Sequence, residues 1–334
     1  MKKTLFLALM LVIGATAFAQ QQMATLNHND TITVFYGNYA LRDAHNAAVN
    51  GDIITLSSGS FNACNITKAI TLHGAGCDFD TITGMTSTII IGNYKIDIEN
   101  DSTYNLTMEG IYNNKIVTCL ECYNSNFIRC YFYVFSLDNS STYVTDHDTK
   151  AENLSFINCI VDRFYGGSYN ENTYTSINSI LRDVSLCTGN SDKYSVLNAY
   201  NSVLQATTYR SDFRYSTFHN SICLGISGLV NYMIKCICYN VSYDSSTNMY
   251  ISELSDVFET YHELNNFSFD ERYILKEEIA TSFLGSDGTE VGIHGGLFPF
   301  DTRPSYMVVK KCNVANKSTI DGKLSVDIEV MVEE

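Results

Sequence analysis

FHNSIC (residues 218–223) is one of six short stretches that share a local pattern. The other five are FIRCYF (127–132), FINCIV (156–161), SINSIL (176–181), AYNSVL (199–204) and MIKCIC (233–238). The third position is Asn or a basic residue, the fourth is Ser or Cys, and the fifth is Ile, Val or Tyr. Repetition of such a strand-like unit indicates stacked supersecondary units, none of which buries its apolar face alone. These stretches therefore predict an all-β solenoid.

Stacking of the copies would place equivalent residues in columns with a spacing of about 4.8 Å. The bend column is Arg129, Asn158, Asn178, Asn201, Asn220 and Lys235; the small-residue column is Cys130, Cys159, Ser179, Ser202, Ser221 and Cys236; the aliphatic column is Tyr131, Ile160, Ile180, Val203, Ile222 and Ile237. Asn tolerates the left-handed conformation at a bend and can hydrogen-bond along a stack. We expect the aliphatic column to face inward because it is the most uniform. The sequence leaves the direction of the small-residue column open.

The N-terminus has the pattern of a secretory signal peptide. In MKKTLFLALMLVIGATAFAQ (1–20), two lysines precede an apolar run, and an Ala-x-Ala site predicts cleavage after Ala19. We therefore expect a secreted, extracellular or cell-surface protein, and export to the periplasm is the alternative that the sequence leaves open. No later apolar run has the length of a membrane-spanning helix, so we expect no membrane span.

The overall charge limits the class of partner. The formal net charge is −15, which disfavours nucleic acid and anionic membranes as partners. We expect a polysaccharide or an extracellular protein instead. The oligomeric state is open.

Eleven cysteines occur, and five of them fall within the repeat copies. Their equivalent positions favour small side chains packed in ladders over disulfides. Cys119 and Cys122 have the CxxC spacing, but no second pair or His follows at the distance of a zinc finger, so we predict no metal site there.

The N-terminal part predicts a helix between strands. TITVF (31–35) reads as a strand, YALRDAHNAAVN (39–50) has helical spacing, and IITL (53–56) reads as a further strand after a Gly-Asp turn. Residues 40–76, with this helix, turn and strand followed by Gly-x-Gly, resemble the N-terminal entry of the pectin-lyase-like right-handed parallel β-helix superfamily. Residues 275–296, with the core DGTEVGIHGG (287–296), resemble the closing rung of secreted bacterial members.

This resemblance covers about residues 30–300 and implies a right-handed parallel β-helix with a short N-terminal capping helix. It leaves the activity open, because the superfamily includes lyases, hydrolases and adhesins. We divide the chain into a signal peptide (1–19), a β-helix domain (20–304) and a C-terminal β-hairpin or tail (305–334). An Asp-Gly pair at 321–322 and the alternating residues after it predict the hairpin. We expect the tail to cover the last rung or to pair with its edge.

The candidate ligand-binding residues are two charged pairs on successive copies and one arginine beyond them: Asp162, Arg163, Arg182, Asp183 and Arg210. Crosswise stacking of opposite charges is typical of a surface salt-bridge ladder. The functional alternative is a groove for an anionic sugar, with Arg182 or Arg210 contacting its carboxylate. Residues 146–148 (Asp-His-Asp) lie in a polar stretch that predicts a solvated loop.

Two classes of function remain. The first is non-catalytic binding of a glycan or an extracellular protein. The alternative is a polysaccharide lyase or glycoside hydrolase, which would need carboxylates or a basic side chain on neighbouring rungs. We favour binding, because the chain has no clear carboxylate cluster, no lyase signature and no Trp. We expect no cofactor, and Ca²⁺ only if the protein is a lyase. Convergence of the five charged residues in one groove would favour the enzyme.

Overall fold

The computed structural model describes the chain in segments. The described residues are 22–78, 86–99, 103–137, 150–166, 172–186, 195–206, 213, 215–226, 231–241, 246–261, 272–303, 308–314 and 326–331. For the last two segments only the backbone is described. The predicted signal peptide, the 146–148 loop, Arg210 and the Asp-Gly turn lie outside these residues.

Eleven strands form sheet A, in the spatial order β2-β1-β3-β5-β8-β10-β13-β16-β19-β21-β23. They are β1 (Met23–His28), β2 (Thr31–Tyr36), β3 (Ile53–Leu56), β5 (Thr71–His73), β8 (Thr107–Glu109), β10 (Asn126–Ile128), β13 (Leu154–Ile157), β16 (Thr173–Ile177), β19 (Val196–Tyr200), β21 (Thr217–His219) and β23 (Tyr232–Ile234). Strand β1 pairs antiparallel with both β2 and β3, whereas all later neighbours are parallel.

Fourteen strands form sheet B, whose main path runs β25-β24-β22-β20-β17-β14-β11-β9-β6-β4. They are β4 (Gly59–Asn62), β6 (Thr88–Ile91), β7 (Tyr94–Asp97), β9 (Ile111–Tyr123), β11 (Tyr131–Ser136), β12 (Lys150–Glu152), β14 (Ile160–Val161), β15 (Phe164–Tyr165), β17 (Ile180–Arg182), β18 (Val184–Ser185), β20 (Val203–Gln205), β22 (Ile222–Leu224), β24 (Ile237–Tyr239) and β25 (Met249–Ile251). All of its described strand pairs are parallel. These long parallel sheets are consistent with the predicted all-β parallel solenoid.

Three short helical segments and a separate hairpin complete the described chain. Helix α1 is Ala40–Ala47, a 3₁₀ turn is Leu254–Asp256, and helix α2 is Glu277–Ser282. None of the described helices has the length and apolar character needed to cross a membrane. Strands β26 (Val308–Val314) and β27 (Val326–Met331) pair antiparallel in a sheet of their own. The predicted C-terminal hairpin is therefore present, but its strands do not join the edge of sheet A or sheet B.

Helix α1 lies against the first strands and is shorter than the predicted 39–50 segment. The helical spacing of 39–50 predicts that Leu41, Ala44, Ala47 and Ala48 share one face. Leu41, Ala44 and Ala48 are buried, whereas Ala47 is exposed. The Lys68 ammonium donates hydrogen bonds to three carbonyl oxygens near the end of the helix, including those of His45 (2.6 Å) and Ala48 (2.6 Å). A cation at this end also interacts favourably with the helix dipole.

Each of the six sequence copies ends a strand of sheet A, turns, and begins a strand of sheet B. All six residues of the bend column have φ between 46° and 56°, so the predicted left-handed bend is confirmed. The small-residue column is buried at this turn. Its hydroxyls connect the rungs: Ser179 Oγ accepts from Cys159 N (2.9 Å), and Ser202 Oγ accepts from Ser179 N (3.3 Å).

The prediction that the aliphatic column faces inward is wrong. The next residues along the strands, among them Phe132, Val161 and Leu181, belong to the interior cluster, which also contains the inward residues of sheet A. Ile160, Ile180 and the rest of the aliphatic column lie on the opposite, outer face of sheet B, in a second apolar cluster. Residues at adjacent positions of a strand point to opposite faces, so the two columns cannot share one side.

The aliphatic column on the outer face of sheet B is buried because a later part of the chain lies over it. We call residues 254–261 and 272–300 the closing segment. Its apolar side chains pack on the aliphatic column; they are Leu254, Val257, Phe258, Tyr273, Leu275, Val291 and Ile293. Residues 275–296 add no strand to either sheet, so the predicted closing rung is instead a covering segment. The contact is close: a side-chain carbon at Gly292 would lie 2.5 Å from Ile222 Cδ1.

Candidate functional site

Two of the predicted charged residues meet on the outer face of sheet B. Strands β14 and β17 pair Ile160 with Ile180 and Val161 with Leu181, so the residues that follow, Asp162 and Arg182, stand side by side. Arg182 Nη1 donates to Asp162 Oδ1 and forms an ion pair. The Arg182 side chain is only 5% exposed and that of Asp162 is 19% exposed. This ion pair is therefore mostly buried and is not a surface ladder.

The arginine also connects the sheet to the closing segment. Arg182 Nε donates to Gln205 Oε1 (3.1 Å), and Tyr273 Oη donates to the same oxygen (2.9 Å). Gln205 and Tyr273 are both buried. Buried polar groups of this kind are favourable only when they are hydrogen-bonded to one another. The geometry gives Arg182 a structural role under the closing segment.

The other predicted residues lie elsewhere. The Arg163 side chain is exposed, and its guanidinium carbon is 5.5 Å from the centre of the Tyr133 ring. Asp183 has a φ of 42° and accepts a hydrogen bond from Tyr165 Oη at 3.5 Å. Among the described members of the set, Asp162 and Arg182 pair with each other, and Arg163 and Asp183 each contact a different tyrosine.

Two tyrosines border the buried ion pair. The rings of Tyr112 and Tyr131 stack with a centroid separation of 4.5 Å and an interplanar angle of 12°. Burial raises the pKa of both phenols, and the nearby Asp162 carboxylate adds to the effect on Tyr131. Both phenols are therefore neutral at ordinary pH and offer no base for proton abstraction.

Three asparagines of the bend column hold the closing segment in place. Asn178 Nδ2 donates to the carbonyl oxygens of Ile293 (2.9 Å) and Gly295 (2.7 Å). Asn220 Oδ1 accepts from Ser286 N (2.8 Å), and Asn201 Nδ2 donates to Glu290 O (3.5 Å). The side chains of these asparagines thus bind the closing segment, although we expected bonds along the stack.

The outer face of sheet A differs, because its side chains remain at the surface. Seven successive rungs place a hydroxyl or amide side chain at one outward position; they are Thr71, Thr107, Asn126, Ser155, Thr175, Asn198 and Thr217. All seven are partly exposed. We call them the hydroxyl–amide column. Sequence analysis missed it because the residues immediately before the repeat copies were not aligned.

A second outward column lies beside it, two residues further along each strand. This outer apolar column is Ile128, Ile157, Ile177, Tyr200, His219 and Ile234. Tyr200 is 41% exposed, and its ring stacks on that of His219 at 5.5 Å. Tyr232, which continues the hydroxyl–amide column, is 58% exposed. Aromatic and polar side chains thus stand together at the last rungs of sheet A.

The tip of the closing segment borders this aromatic end. A side-chain carbon on Gly296 would lie 3.0 Å from Asn201 Oδ1, and Asn201 directly follows Tyr200. The next two residues, Leu297 and Phe298, are exposed. These two adjacent residues form a small exposed apolar patch at the tip of the closing segment.

In sheet A, from β3 to β23, the described outward positions contain one carboxylate and no Lys or Arg. The carboxylate is Glu109, which is buried and lies 3.2 Å from His73 Nδ1 and 3.3 Å from Arg129 Nη1. Arg129 neutralises it from the neighbouring bend. The open face is therefore nearly uncharged, in a chain whose net charge is −15.

The cysteines whose side chains are described are free thiols, and all except Cys64 are buried. Cys119 and Cys122 both belong to the interior cluster, and Cys122 Sγ donates to Ser125 Oγ (3.0 Å). Burial raises the pKa of Cys119 well above its usual value. Within the described ranges, no group of three His, Cys, Asp or Glu side chains is arranged to hold a metal ion.

Comparison with known proteins adds no assignment. No protein-family model matches the chain, and no curated protein or solved structure is significantly similar to it.

Proposed function

We propose that this protein binds a neutral glycan, without catalysis, through the outer face of sheet A. The observation that carries the proposal is the hydroxyl–amide column on seven consecutive rungs, beside a column of Ile, Tyr and His. Hydroxyl and amide groups can both donate and accept hydrogen bonds, which suits sugar hydroxyls. The apolar column can receive the C–H faces of sugar rings.

Charge supports a neutral ligand over an anionic one. The open face has no outward Lys or Arg, and its carboxylate, Glu109, is paired with Arg129. The net charge of −15 repels a polyanion. Arg182, which the sequence suggested as a contact for a sugar carboxylate, is buried against Asp162 and Gln205. These features favour a neutral polysaccharide over a uronate polymer.

The same buried ion pair gives no support to the lyase or hydrolase alternative. A general base must reach its substrate proton within hydrogen-bond distance, and the Asp162–Arg182 pair is mostly buried beside the closing segment. An extracellular protein ligand remains the other outcome to test. If a protein binds the same face, the outer apolar column should carry more of the affinity than the hydroxyl–amide column.

The proposal extends to the architecture and the location. We propose a right-handed coil of the pectin-lyase-like superfamily, with α1 as the cap of its N-terminal end. The resemblance of residues 40–76 and the packing of α1 beside the first strands support this assignment. We also propose export after cleavage at Ala19, which the pattern of residues 1–20 supports.

The test is affinity electrophoresis in gels that contain neutral or uronate polysaccharides, followed by calorimetry with oligosaccharides. We expect retardation by at least one neutral polymer. Tyr200→Ala combined with Tyr232→Ala should weaken binding at least tenfold, about 1.4 kcal/mol. Tyr261→Ala, which removes a comparably exposed tyrosine outside the strands of sheet A, is the matched control. Thr175→Arg should block the middle of the face.

Binding only to uronate polymers, or equal loss in the control, would contradict the proposal. Ultraviolet absorbance of an unsaturated product in the same mixtures would instead establish a lyase.

A further inference from the structure

Strand β2 differs from the other strands of sheet A because it has exposed side chains on both of its faces. It is the terminal strand of the sheet, beside β1. Ile32, Val34 and Tyr36 are 66%, 39% and 61% exposed. On the other face Thr31 and Thr33 are exposed, and Phe35 packs against the interior cluster. This edge presents backbone donors and acceptors together with apolar side chains.

Within the described part of the chain, the edge lacks the features that usually prevent pairing. TITVFY (31–36) contains no charged residue, Pro or Gly. Its six residues pair with β1 in an unbroken register without a bulge. Native proteins generally protect edge strands with Lys, Pro, bulges or covering segments. Short uncharged segments of high β-propensity readily add to another strand.

A second copy of the chain fits this edge by charge and by register. Two copies with a net charge of −15 repel each other over most of their surfaces, so they can approach best along an uncharged strand. Antiparallel pairing centred on Val34 would place Val34 opposite Val34 and Ile32 opposite Tyr36. Apolar side chains would then face apolar side chains on one side, as a two-fold interface requires.

We infer that β2 pairs antiparallel with β2 of a second copy and forms a two-fold dimer. A six-residue strand pair is small compared with a standard interface, so the dimer is reversible and depends on concentration. This is β-augmentation between identical edges.

The pairing would also join the two proposed glycan-binding faces, a consequence that rests on the proposed function. Val34 pairs with Thr25, Thr25 pairs with Thr55, and Thr55 pairs with His73 on the next strand of sheet A. All four residues therefore belong to one outward row of the sheet. Paired residues of neighbouring strands share a face. The outer faces of the two copies would therefore form one continuous surface, which raises the avidity for a long polymer.

The first test is sedimentation velocity of the purified protein over a wide concentration range. We expect the weight-average sedimentation coefficient to rise with concentration. Val34→Lys should hold the protein at the monomer value, because two ammonium groups would face each other across the axis. Ile116→Lys makes the same change at a similarly exposed strand position in sheet B and should leave the association unchanged. Unaltered circular dichroism would show that both variants fold.

Cross-linking identifies the partner. Val34→Cys should form a covalent dimer under mild oxidation, whereas Ile116→Cys should not, because only the first places two thiols across the axis. A protein that stays monomeric at all concentrations would overturn the inference, as would an association that Val34→Lys leaves intact.

The two proposals fail separately. Val34→Lys should weaken binding to an immobilised polymer but leave the affinity for a short oligosaccharide unchanged. Tyr200→Ala with Tyr232→Ala should weaken glycan binding at least tenfold and leave the dimer intact. Dimerisation without any glycan binding would contradict only the proposed function.

Discussion

The attachment of the closing segment by Asn178 can be tested by one substitution. Asn178→Gly removes the amide that donates to the carbonyl oxygens of Ile293 and Gly295. Glycine keeps the left-handed backbone, where φ is 46°. Each lost hydrogen bond costs about 1 kcal/mol, so local opening of the closing segment should become easier by about 2 kcal/mol. This corresponds to an opening constant that is about 30-fold larger.

Asn158→Gly is the matched control. Asn158 occupies the same column, is buried and has a φ of 53°. Its Oδ1 has no hydrogen-bond partner among the described residues. The effect of glycine on backbone entropy should be the same at both positions, so their difference isolates the contacts with the closing segment.

The assay is hydrogen exchange of amides in the closing segment. The Gly292 N–H donates to Asn220 O and the Phe300 N–H donates to Ile293 O, both at 2.7 Å. Both amides should exchange about 30-fold faster in Asn178→Gly and nearly as in the native protein in Asn158→Gly, because exchange reports local opening. Equal exchange in the two variants would refute the assignment of Asn178 as an anchor.

Two further predictions concern stability. Burial, with a smaller contribution from Lys68, lowers the pKa of His45 from 6.5 to about 4, and His45 Nε2 accepts a hydrogen bond from Thr67 N. As the pH falls, the unfolded chain therefore binds a proton at His45 before the folded chain does, and about 3 kcal/mol of stability should be lost between about pH 6.5 and about pH 4. Urea unfolding at several pH values measures this loss. His45→Gln should flatten the dependence of stability on pH. Arg182→Met should lower the free energy of unfolding by about 2–3 kcal/mol. This is less than for a fully buried pair, because Asp162 is partly solvated. Adding Asp162→Leu should restore part of the loss in the urea midpoint. An unchanged midpoint in Arg182→Met would contradict this account.

Local sequence patterns predicted the rungs. The left-handed bend follows from residue type at the four asparagines of the bend column. Arg129 and Lys235 adopt the same conformation because they occupy the same position of the repeat. The strand on either side follows from β-branched and aromatic residues. Helix α1 likewise follows from apolar spacing, although Lys68, which caps it, comes from a later part of the chain.

The orientation of the rungs was harder to predict. A uniform Ile/Val column reads as interior, but the same pattern arises when another segment covers the outer face. Val291 and Ile293 cover this column, and they lie about 70 residues further along the chain than Ile222. Periodicity reports that a column is buried and does not report which part of the protein buries it.

The candidate site shows the same division. The sequence alone determined that Asp162 and Arg182 fall at equivalent positions of adjacent copies, because parallel stacking converts sequence alignment into contact. Only the tertiary structure decided that this pair is buried with Gln205 and Tyr273, and that the open face belongs to sheet A. The physical reason is that register is set locally by strand pairing, whereas exposure depends on where distant segments pack.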